Sequence, residues 1–381
     1  MEEITLEELR ALPEDSYKLI DIRDEGLQSY GMMPGAVSVP ASDLAESGPQ
    51  LDAFGNRKLI FYCQIGRKSR ELEAEDYPCL EGRECYSLAG GYIGYVRAGL
   101  AEESDLEERR KKAEECIRKK FHKVLLSPFA KACKTYELIQ DGDRIAVCIS
   151  GGKDSMLMAK LFQELKRHRK VDFELTFLVM DPGYNKDNRA LIESNAKALG
   201  IPITVFESNI FDAVDTVEKS PCYLCARMRR GYLYSKAKEL GCNKIALGHH
   251  FDDVSETILM GMLHGAQIQT MMPKLHSTNF EGMELIRPMY FIRESDICAW
   301  RDYNELHFLQ CACHFTDTCT TCHEDGTTSS KRLETKKLIA ELKKTNPFVE
   351  TNIFNSMENV NLRTVLAYKR DGVKHSFLDE Y

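Results

Sequence analysis

Six consecutive residues near the middle of the chain have the character of a phosphate-binding loop, namely Ser150-Gly151-Gly152-Lys153-Asp154-Ser155. They follow an apolar, strand-like run and open a helix-forming stretch. Glycine lets backbone N–H groups approach a phosphate closely, and a helix N-terminus adds the positive end of its dipole. Lys153 can offset phosphate charge, and the two serine hydroxyls can donate hydrogen bonds. Because the Walker spacing GxxxxGK[ST] is absent, we predict a different kind of pyrophosphate cradle.

Two further polar segments follow predicted strands of the same domain. Asp181 ends the second strand, and the run Gly248-His249-His250-Phe251-Asp252-Asp253 follows the fourth. An open parallel sheet binds ligands at the carboxyl ends of its strands. Imidazole and carboxylate groups there suit Mg²⁺ and phosphate positioning, so Asp252 and Asp253 are catalytic candidates. A structural alternative, in which these two aspartates cap the next helix, stays open.

A cysteine loop near the N-terminus predicts sulfur chemistry. The segment Cys63-Gln64-Ile65-Gly66-Arg67-Lys68-Ser69 follows a strand and leads into a helix. Backbone N–H groups, together with Arg67 and Lys68, should favour the thiolate of Cys63, which is the nucleophilic form. A thiolate can accept a sulfane sulfur and hold it reversibly as a persulfide. The six residues that follow Cys63 would then supply the donors that stabilise the persulfide charge.

A second cysteine pattern suggests a metal or redox site. Cys222 and Cys225 form a CxxC, which we place on a loop before a helix. One such pair leaves a redox dithiol, a zinc site and an iron–sulfur site open. Further cysteines follow downstream at Cys311, Cys313, Cys319 and Cys322. Four thiolates from the pairs 222/225 and 319/322 would make a structural zinc site.

The distribution of charge allows an RNA partner. The net charge is −8, and residues 1–100 alone hold 18 Asp and Glu against 10 Lys and Arg, so the rest of the chain is neutral on average. Arg227, Arg229 and Arg230 could make bidentate phosphate contacts, or could be salt-bridged surface residues. Residues 102–122 predict a charged helical connector, either a solvated helix or a basic surface that faces RNA.

Composition restricts where the protein works. The 381 residues suggest two or three domains, and no apolar run reaches the ~18 residues that would span a membrane. The acidic start at Met1 lacks the basic segment of a secretory signal, which favours the cytoplasm. In that compartment the 14 cysteines would stay reduced and serve as ligands, nucleophiles or buried thiols.

Alternating strands and helices must position all of these residues. Around the phosphate loop we predict strands at 145–149, 173–180, 201–207 and 244–247, with helices at 155–168 and 189–199 between them. Strands separated by helices imply a parallel sheet with right-handed crossovers. Residues 1–100 also alternate, with strands at 18–22 and 58–63. A charged helix is expected at 331–344. The fold class is therefore α/β in both halves.

The phosphate loop resembles the signature of the PP-loop ATP pyrophosphatases. That resemblance implies an adenine-nucleotide alpha-hydrolase-like domain that cleaves ATP to AMP and pyrophosphate while adenylating a carbonyl oxygen with Mg²⁺. It also implies nucleotide binding by residues 150–155, Asp181, Gly248 and His249.

The run from Cys222 to Gly231, together with Ala246–His250 and Ile286-Arg287-Pro288, resembles the TtcA family, which makes 2-thiocytidine in tRNA. The resemblance implies a [4Fe–4S] cluster held by Cys222, Cys225 and a third cysteine. Cys311 falls at the family position, and Cys313 is its rival. One iron then stays open for an exogenous sulfide. A homodimer is consistent with this family.

The N-terminal segment resembles the single-domain rhodanese family. The resemblance is carried by the Cys63 loop, by Leu19–Arg23, by Met33-Pro34-Gly35-Ala36 and by Leu88-Ala89-Gly90-Gly91. We therefore divide the chain into a rhodanese-like domain at 1–100, a charged linker at 101–125 and a thiolation domain at 126–381 that ends in a helical segment.

Together the domains predict an ATP-dependent tRNA sulfurtransferase. The PP-loop half would adenylate O2 of a cytidine, and Cys63 would carry sulfur from a cysteine desulfurase or thiosulfate. The sulfur would then pass to the cluster, whose bound sulfide displaces AMP. The alternative is a persulfide sulfurtransferase coupled to a PP-loop enzyme that acts on a small molecule other than RNA. A structural zinc RNA-binding module is a third option.

Overall fold

The computed structural model describes residues 1–28, 31–73, 75–100, 106–184, 186–208, 210, 221–308, 331–379 and 381, with the backbone alone for residues 25, 97, 99, 100, 187 and 221–226. The chain forms two compact units. The first comprises Met1–His250 and Pro273–Thr328, and the second comprises Phe251–Met272 and Ser329–Tyr381. Within the described ranges, no helix combines the length and apolar character needed to cross a membrane.

The N-terminal part of the first unit is a five-stranded parallel sheet in the order β1-β5-β4-β2-β3. Its central strand β4 is apolar and buried along nearly its whole length, as expected for a parallel sheet covered on both faces. The strands are β1 (Glu2–Ile4), β2 (Tyr17–Asp21), β3 (Val37–Ser38), β4 (Lys58–Tyr62) and β5 (Cys85–Leu88). The helices are α1 (Leu6–Ala11), α2 (Glu25–Gln28), α3 (Gly48–Asp52), α4 (Arg67–Arg70) and α5 (Gly91–Leu100), with 3₁₀ turns at Ala41–Glu46 and Pro78–Leu80.

The second sheet of this unit has six strands in the order β10-β11-β9-β6-β7-β8. All neighbours are parallel except the edge pair β10 and β11. Its strands are β6 (Asp143–Ile149), β7 (Phe173–Asp181), β8 (Ile203–Glu207), β9 (Lys244–Ala246), β10 (Lys274–His276) and β11 (Glu284–Ile286). The chain proceeds from β6 to β8 in one direction and then crosses back to β9 on the other side of β6. This reversal makes the gap between β6 and β9 a topological switch point, where open α/β sheets bind ligands.

Helices cover this second sheet and connect it to the first. They are α6 (Leu106–Arg118), α7 (Ser127–Thr135), α8 (Lys153–Arg167), α9 (Lys186–Ala198), α10 (Pro221–Glu239) and α12 (Glu294–Tyr303), with a π-helical turn at His122–Leu126. The predicted connector helix is not solvated on every side, because α6 buries Ala113, Cys116 and Ile117. The opposite face of α6 is exposed and carries most of the charged residues of the predicted connector.

The second unit is small and mostly helical. It contains α11 (Phe251–Gly265), α13 (Lys331–Thr345), α14 (Val349–Ser356), two 3₁₀ turns (Leu362–Thr364 and Phe377–Asp379) and the hairpin β12 (Ala367–Arg370) and β13 (Val373–Ser376). Phe251 stacks on Phe354 with ring centroids 4.4 Å apart, which packs α11 against α14. The hairpin turn uses Asp371 and Gly372, both at positive φ, as a two-residue primed turn requires.

The α/β class and the parallel sheets are confirmed. The predicted strands and helices end within three residues of the observed ones, except that the connector was predicted to reach residue 122 and its helix α6 ends at Arg118. One prediction is wrong. The CxxC lies within a helix and not on a loop before one, because α10 already begins at Pro221, and proline is favoured in the first turn of a helix. The predicted domain limits at residues 100 and 125 stay predictions, since they divide the chain by motif whereas the two units divide it by packing.

Candidate functional site

The phosphate loop lies at the carboxyl end of β6 and forms a turn that closes on itself. The N–H of Ser150 donates to Ser155 Oγ at 3.1 Å, and that hydroxyl donates to the Gly152 carbonyl at 3.0 Å. Gly151 has φ of +86°, and a Cβ there would meet Ile192 Cγ1 at 2.5 Å. Among the described residues, no side chain caps α8 at Gly152. The first-turn N–H groups of α8 are therefore suited to an anion.

Lys153 carries the main positive charge of this loop, and its side chain is almost fully buried. Its ammonium lies 3.3 Å from Asp154 Oδ2 and 3.2 Å from Glu294 Oε1 at the start of α12. Asp154 Oδ1 is 3.2 Å from the same ammonium and is buried without a hydrogen bond from any described group. Carboxylate oxygen is the ligand type that Mg²⁺ prefers, so this oxygen fits a metal that accompanies a triphosphate.

The segment after β9 packs directly against the phosphate loop. A Cβ on Gly248 would lie 3.3 Å from both the Asp154 carbonyl carbon and the Ser155 nitrogen, so only glycine leaves the loop undisturbed. His250 is buried, with Nε2 4.0 Å from Asp154 Oδ1. Arg287, also buried, donates from Nε to His249 Nδ1 at 3.3 Å. The phosphate loop and the segment 248–250 thus meet at the switch point, as predicted for the end of an open sheet. Arg287 lies beside them, and the sequence had indicated it only as part of a family motif.

Asp181 has a local structural role at the end of β7. Its Oδ1 accepts hydrogen bonds from the N–H groups of Gly183 at 2.9 Å and Tyr184 at 2.7 Å. Its Oδ2 pairs with Arg189 at 3.0 Å. The carboxylate therefore fixes the loop between β7 and α9, and its nucleotide-binding role stays a prediction.

Cys63 lies buried at the carboxyl end of β4, under a loop that closes on the start of α5. Ser69 Oγ is 3.6 Å from the sulfur and 2.8 Å from Ser87 Oγ. A Cβ on Gly91 would meet both the Cys63 carbonyl oxygen and the Gly66 nitrogen at 2.5 Å, so the two loops approach as closely as backbone allows. The predicted loop 64–69 is thereby held around the thiol. Its Ile65 side chain is exposed at 42% and offers an apolar approach to the loop.

A buried arginine behind this loop was missed as a site residue, although its segment carried the rhodanese resemblance. Arg23 pairs with Asp21 at 2.6 Å, and both side chains are almost fully buried. The guanidinium also donates to Gln64 Oε1 at 3.3 Å and lies 3.8 Å from the ring centroid of Tyr92. Burial raises the pKa of Tyr92 to about 12, so its hydroxyl stays protonated. The sequence signal that could have identified Arg23 was the spacing Asp21-Ile22-Arg23 at the end of strand β2.

The remaining predicted site residues lie on helices or outside the described part of the chain. Asp252 and Asp253 lie in the first turn of α11 in the second unit, where Asp253 pairs with Arg332 at 2.5 Å. Arg227 and Arg230 are exposed on α10, and Arg229 is half-buried. Among the described residues, no group of three or more His, Cys, Asp or Glu could hold a metal ion. The side chains of Cys222 and Cys225, and residues Cys311, Cys313, Cys319 and Cys322, lie outside the described part.

Comparison with known families gives two matches along the chain. Residues 118–313 match the PP-loop domain family, and residues 5–98 match the rhodanese-like domain family. Each of the two domains therefore has a family counterpart.

The region that matches named relatives spans most of the length of each relative. The tRNA-cytidine(32) 2-sulfurtransferase of Geobacter sulfurreducens is 34% identical over 248 residues, which are 64% of this chain and 93% of that protein. The protein of the same name from Syntrophotalea carbinolica is 34% identical over 62% of this chain and 88% of its own. Among solved structures, the U34-tRNA thiolase NcsA from Methanococcus maripaludis with its [4Fe–4S] cluster is 21% identical with a TM-score of 0.48, over 66% of this chain and 84% of that one.

Proposed function

Because the chain belongs to the PP-loop family of tRNA-cytidine 2-sulfurtransferases and carries a rhodanese-like domain, we propose that it converts cytidine 32 of tRNA to 2-thiocytidine with ATP. The rhodanese-like domain would supply the sulfur from a persulfide on Cys63. The observation that carries this proposal is the phosphate loop at the switch point, next to the Gly248–His250 segment.

The loop suits activation of a carbonyl oxygen by ATP. In this reaction the cytidine O2 attacks the α-phosphorus, and pyrophosphate leaves. The N–H groups at the start of α8 and the Lys153 ammonium would bind the departing pyrophosphate and offset its charge. Asp154 Oδ1 would hold a Mg²⁺ ion that neutralises phosphate charge. AMP then becomes the leaving group when sulfur replaces oxygen at the activated carbon.

The Cys63 loop suits storage of the sulfur atom. Thiosulfate or a desulfurase persulfide would transfer its outer sulfur to the Cys63 thiolate, and the closed loop with Ser69 and Ser87 would surround it. The outer sulfur of a persulfide is two electrons more oxidised than sulfide. Formation of the C=S bond therefore also consumes two electrons, which an external reductant supplies.

A [4Fe–4S] cluster is the cofactor expected for such a thiolase, and when bound it would supply an open iron for sulfide. The thiols that would hold it are Cys222 and Cys225 on α10 with Cys311 or Cys313. The α10 backbone places Cys222 and Cys225 three positions apart, on one face of a helix. The exposed Arg227 and Arg230 on the same helix suit contacts with the tRNA backbone.

The proposal is tested by nucleoside mass spectrometry of tRNA from a strain that lacks this gene. We expect 2-thiocytidine to disappear and to return with the wild-type gene. Lys153→Met should fail to restore it, with a loss of AMP formation of about 10²–10³-fold in vitro. Lys170→Met is the matched control, since Lys170 is exposed and lies beyond the end of α8.

Two outcomes would contradict the proposal. The first is a deletion strain that keeps its 2-thiocytidine. The second is purified protein that cleaves ATP to AMP at the same rate with and without tRNA, which would favour a small-molecule acceptor.

A further inference from the structure

The rhodanese-like domain and the PP-loop domain share one buried apolar cluster. It includes Tyr92 and Val96 on α5 together with Leu199, Trp300 and Phe308 of the PP-loop part. Helix α5 packs on α9. Domains with small, polar interfaces move freely, whereas an extensive apolar interface restricts motion. The rhodanese-like domain, here also called the persulfide carrier, is therefore docked in one orientation on the PP-loop domain that it would supply with sulfur.

Tyr92 connects the Cys63 loop to this interface through three separate contacts. Its backbone N–H donates to the Cys63 carbonyl at 2.9 Å. Its ring lies against the guanidinium of Arg23. Its hydroxyl is 2.9 Å from His307 Nδ1, across 215 positions of sequence. Tyr92 thus contacts the Cys63 loop through its backbone and the PP-loop domain through its hydroxyl.

The surroundings of His307 hold its ring in position for the hydrogen bond with the Tyr92 hydroxyl. Its ring packs edge-on against Tyr92 and Tyr95, and its carbonyl accepts a hydrogen bond from Asn195 Nδ2 at 2.9 Å. Burial, and then the nearby Arg301, lower the pKa of His307 to about 4. The ring is therefore neutral, and in its Nε2–H tautomer the bare Nδ1 accepts a hydrogen bond from the protonated Tyr92 hydroxyl. His307 also precedes Cys311 by only four positions in the sequence.

We propose that Tyr92 and His307 are positioning residues, which latch the persulfide carrier in the orientation from which sulfur is delivered within the same chain. This inference rests on the proposed function. In the delivery step an acceptor thiolate attacks the outer sulfur of the Cys63 persulfide. A new S–S bond forms as the bond to Cys63 breaks, and its electron pair stays on Cys63, so the step itself needs no reductant.

The test compares two sulfur sources in the full-length, anaerobically reconstituted enzyme. In one arm Cys63 is loaded with labelled sulfur from thiosulfate, with release of sulfite, and excess donor is removed. In the other arm labelled sulfide is added in solution. Both arms receive tRNA, ATP, Mg²⁺ and dithionite as the electron source, and the initial rate of label incorporation into 2-thiocytidine is measured.

We expect Tyr92→Phe and His307→Leu to slow the persulfide-fed rate about fivefold, the effect of one lost hydrogen bond, and to leave the sulfide-fed rate unchanged. His307→Asn, which keeps an acceptor near the Nδ1 position, should restore most of the persulfide-fed rate. Tyr95→Phe is the matched control, because within the described residues its hydroxyl makes no hydrogen bond. Thiosulfate-to-cyanide sulfur transfer at Cys63 should be equal in all variants.

Three outcomes would overturn the latch. A persulfide-fed rate in Tyr92→Phe equal to or above wild type would show that the contact does not position the carrier. An equal loss in both arms would indicate general destabilisation. A wild-type enzyme that incorporates sulfur in neither arm would overturn the thiolase assignment itself, and with it the latch.

Discussion

Gly151→Ala tests whether the shape of the phosphate loop is set by backbone conformation and packing together. Gly151 has φ of +86°, where an L-residue with a Cβ costs about 1–2 kcal/mol. The added Cβ would also lie 2.5 Å from Ile192 Cγ1, against a normal carbon–carbon contact of about 3.5–4.0 Å. Because Ile192 is itself buried, this overlap should cost a further ~1–3 kcal/mol. We therefore expect a total destabilisation of about 2–5 kcal/mol.

Gly142→Ala is the control that isolates the conformational part. Gly142 has φ of +83° and precedes the same strand β6, but a Cβ there meets nothing within 4 Å. This variant should lose only ~1–2 kcal/mol and keep the wild-type KM for ATP. Gly151→Ala should raise that KM about tenfold or more, because the N–H groups that would face the phosphate move. Denaturant unfolding and AMP formation measure the two effects.

A double variant separates the overlap from the backbone strain. Ile192→Ala removes the atoms that the new Cβ would meet. In a double-mutant cycle with Gly151→Ala, the destabilisation of the double variant should therefore be smaller than the sum of the two single destabilisations by ~1–3 kcal/mol. Equal stability and equal KM in Gly151→Ala and Gly142→Ala would refute the reasoning.

Three further predictions concern the N-terminal domain and its interface. Asp21→Asn leaves the buried Arg23 guanidinium without its counter-charge and should cost about 3–5 kcal/mol in denaturant unfolding. Cys63→Ser should abolish persulfide-fed thiolation while sulfide-fed thiolation and AMP formation continue, as followed by nucleoside mass spectrometry. Burial and Arg301 depress the pKa of His307 from 6.5 to about 4, so the unfolded chain binds a proton there that the folded chain does not. Stability should fall as pH drops from about 6.5 to 4, by about 3 kcal/mol from this group, and His307→Asn should lack that part of the decline.

Each of these has a matched comparison. Asp52→Asn removes a carboxylate that pairs with Arg83 at the surface, where the cost should be about 0–1 kcal/mol. A similar cost for Asp21→Asn would contradict the buried-charge argument. Cys79→Ser should leave persulfide-fed thiolation intact. Parallel pH profiles of stability for wild type and His307→Asn would show that His307 is not held neutral in the fold.

The local parts of the fold could be predicted because their signals are local. The apolar run before Ser150 defines β6, and the glycines that follow define the turn. Cys63 could be placed at a strand end for the same reason. The helix start at Pro221 had a signal too, but the CxxC pattern suggested a loop and outweighed it.

Contacts between distant positions had no such signal. The ion pair of Lys153 with Glu294 joins residues 141 positions apart, and the hydrogen bond of Tyr92 with His307 joins residues 215 apart. Neither Glu294 nor His307 lies in a recognisable motif. Each meets its partner only when the chain folds and distant segments pack together. Periodicity shows that a face is buried but not which face covers it, so the common core of the two domains could not be foreseen.

That common core limits how the gene can be cut or recombined. A chain truncated near residue 100 would leave the apolar faces of both fragments in water, and exposed patches of this kind cause aggregation. The N-terminal domain would then not behave as an interchangeable cassette, although its sequence has the appearance of one. Exchanging it for a homologous donor would succeed only if the replacement brings side chains of matching shape to α9 and to the end of α12.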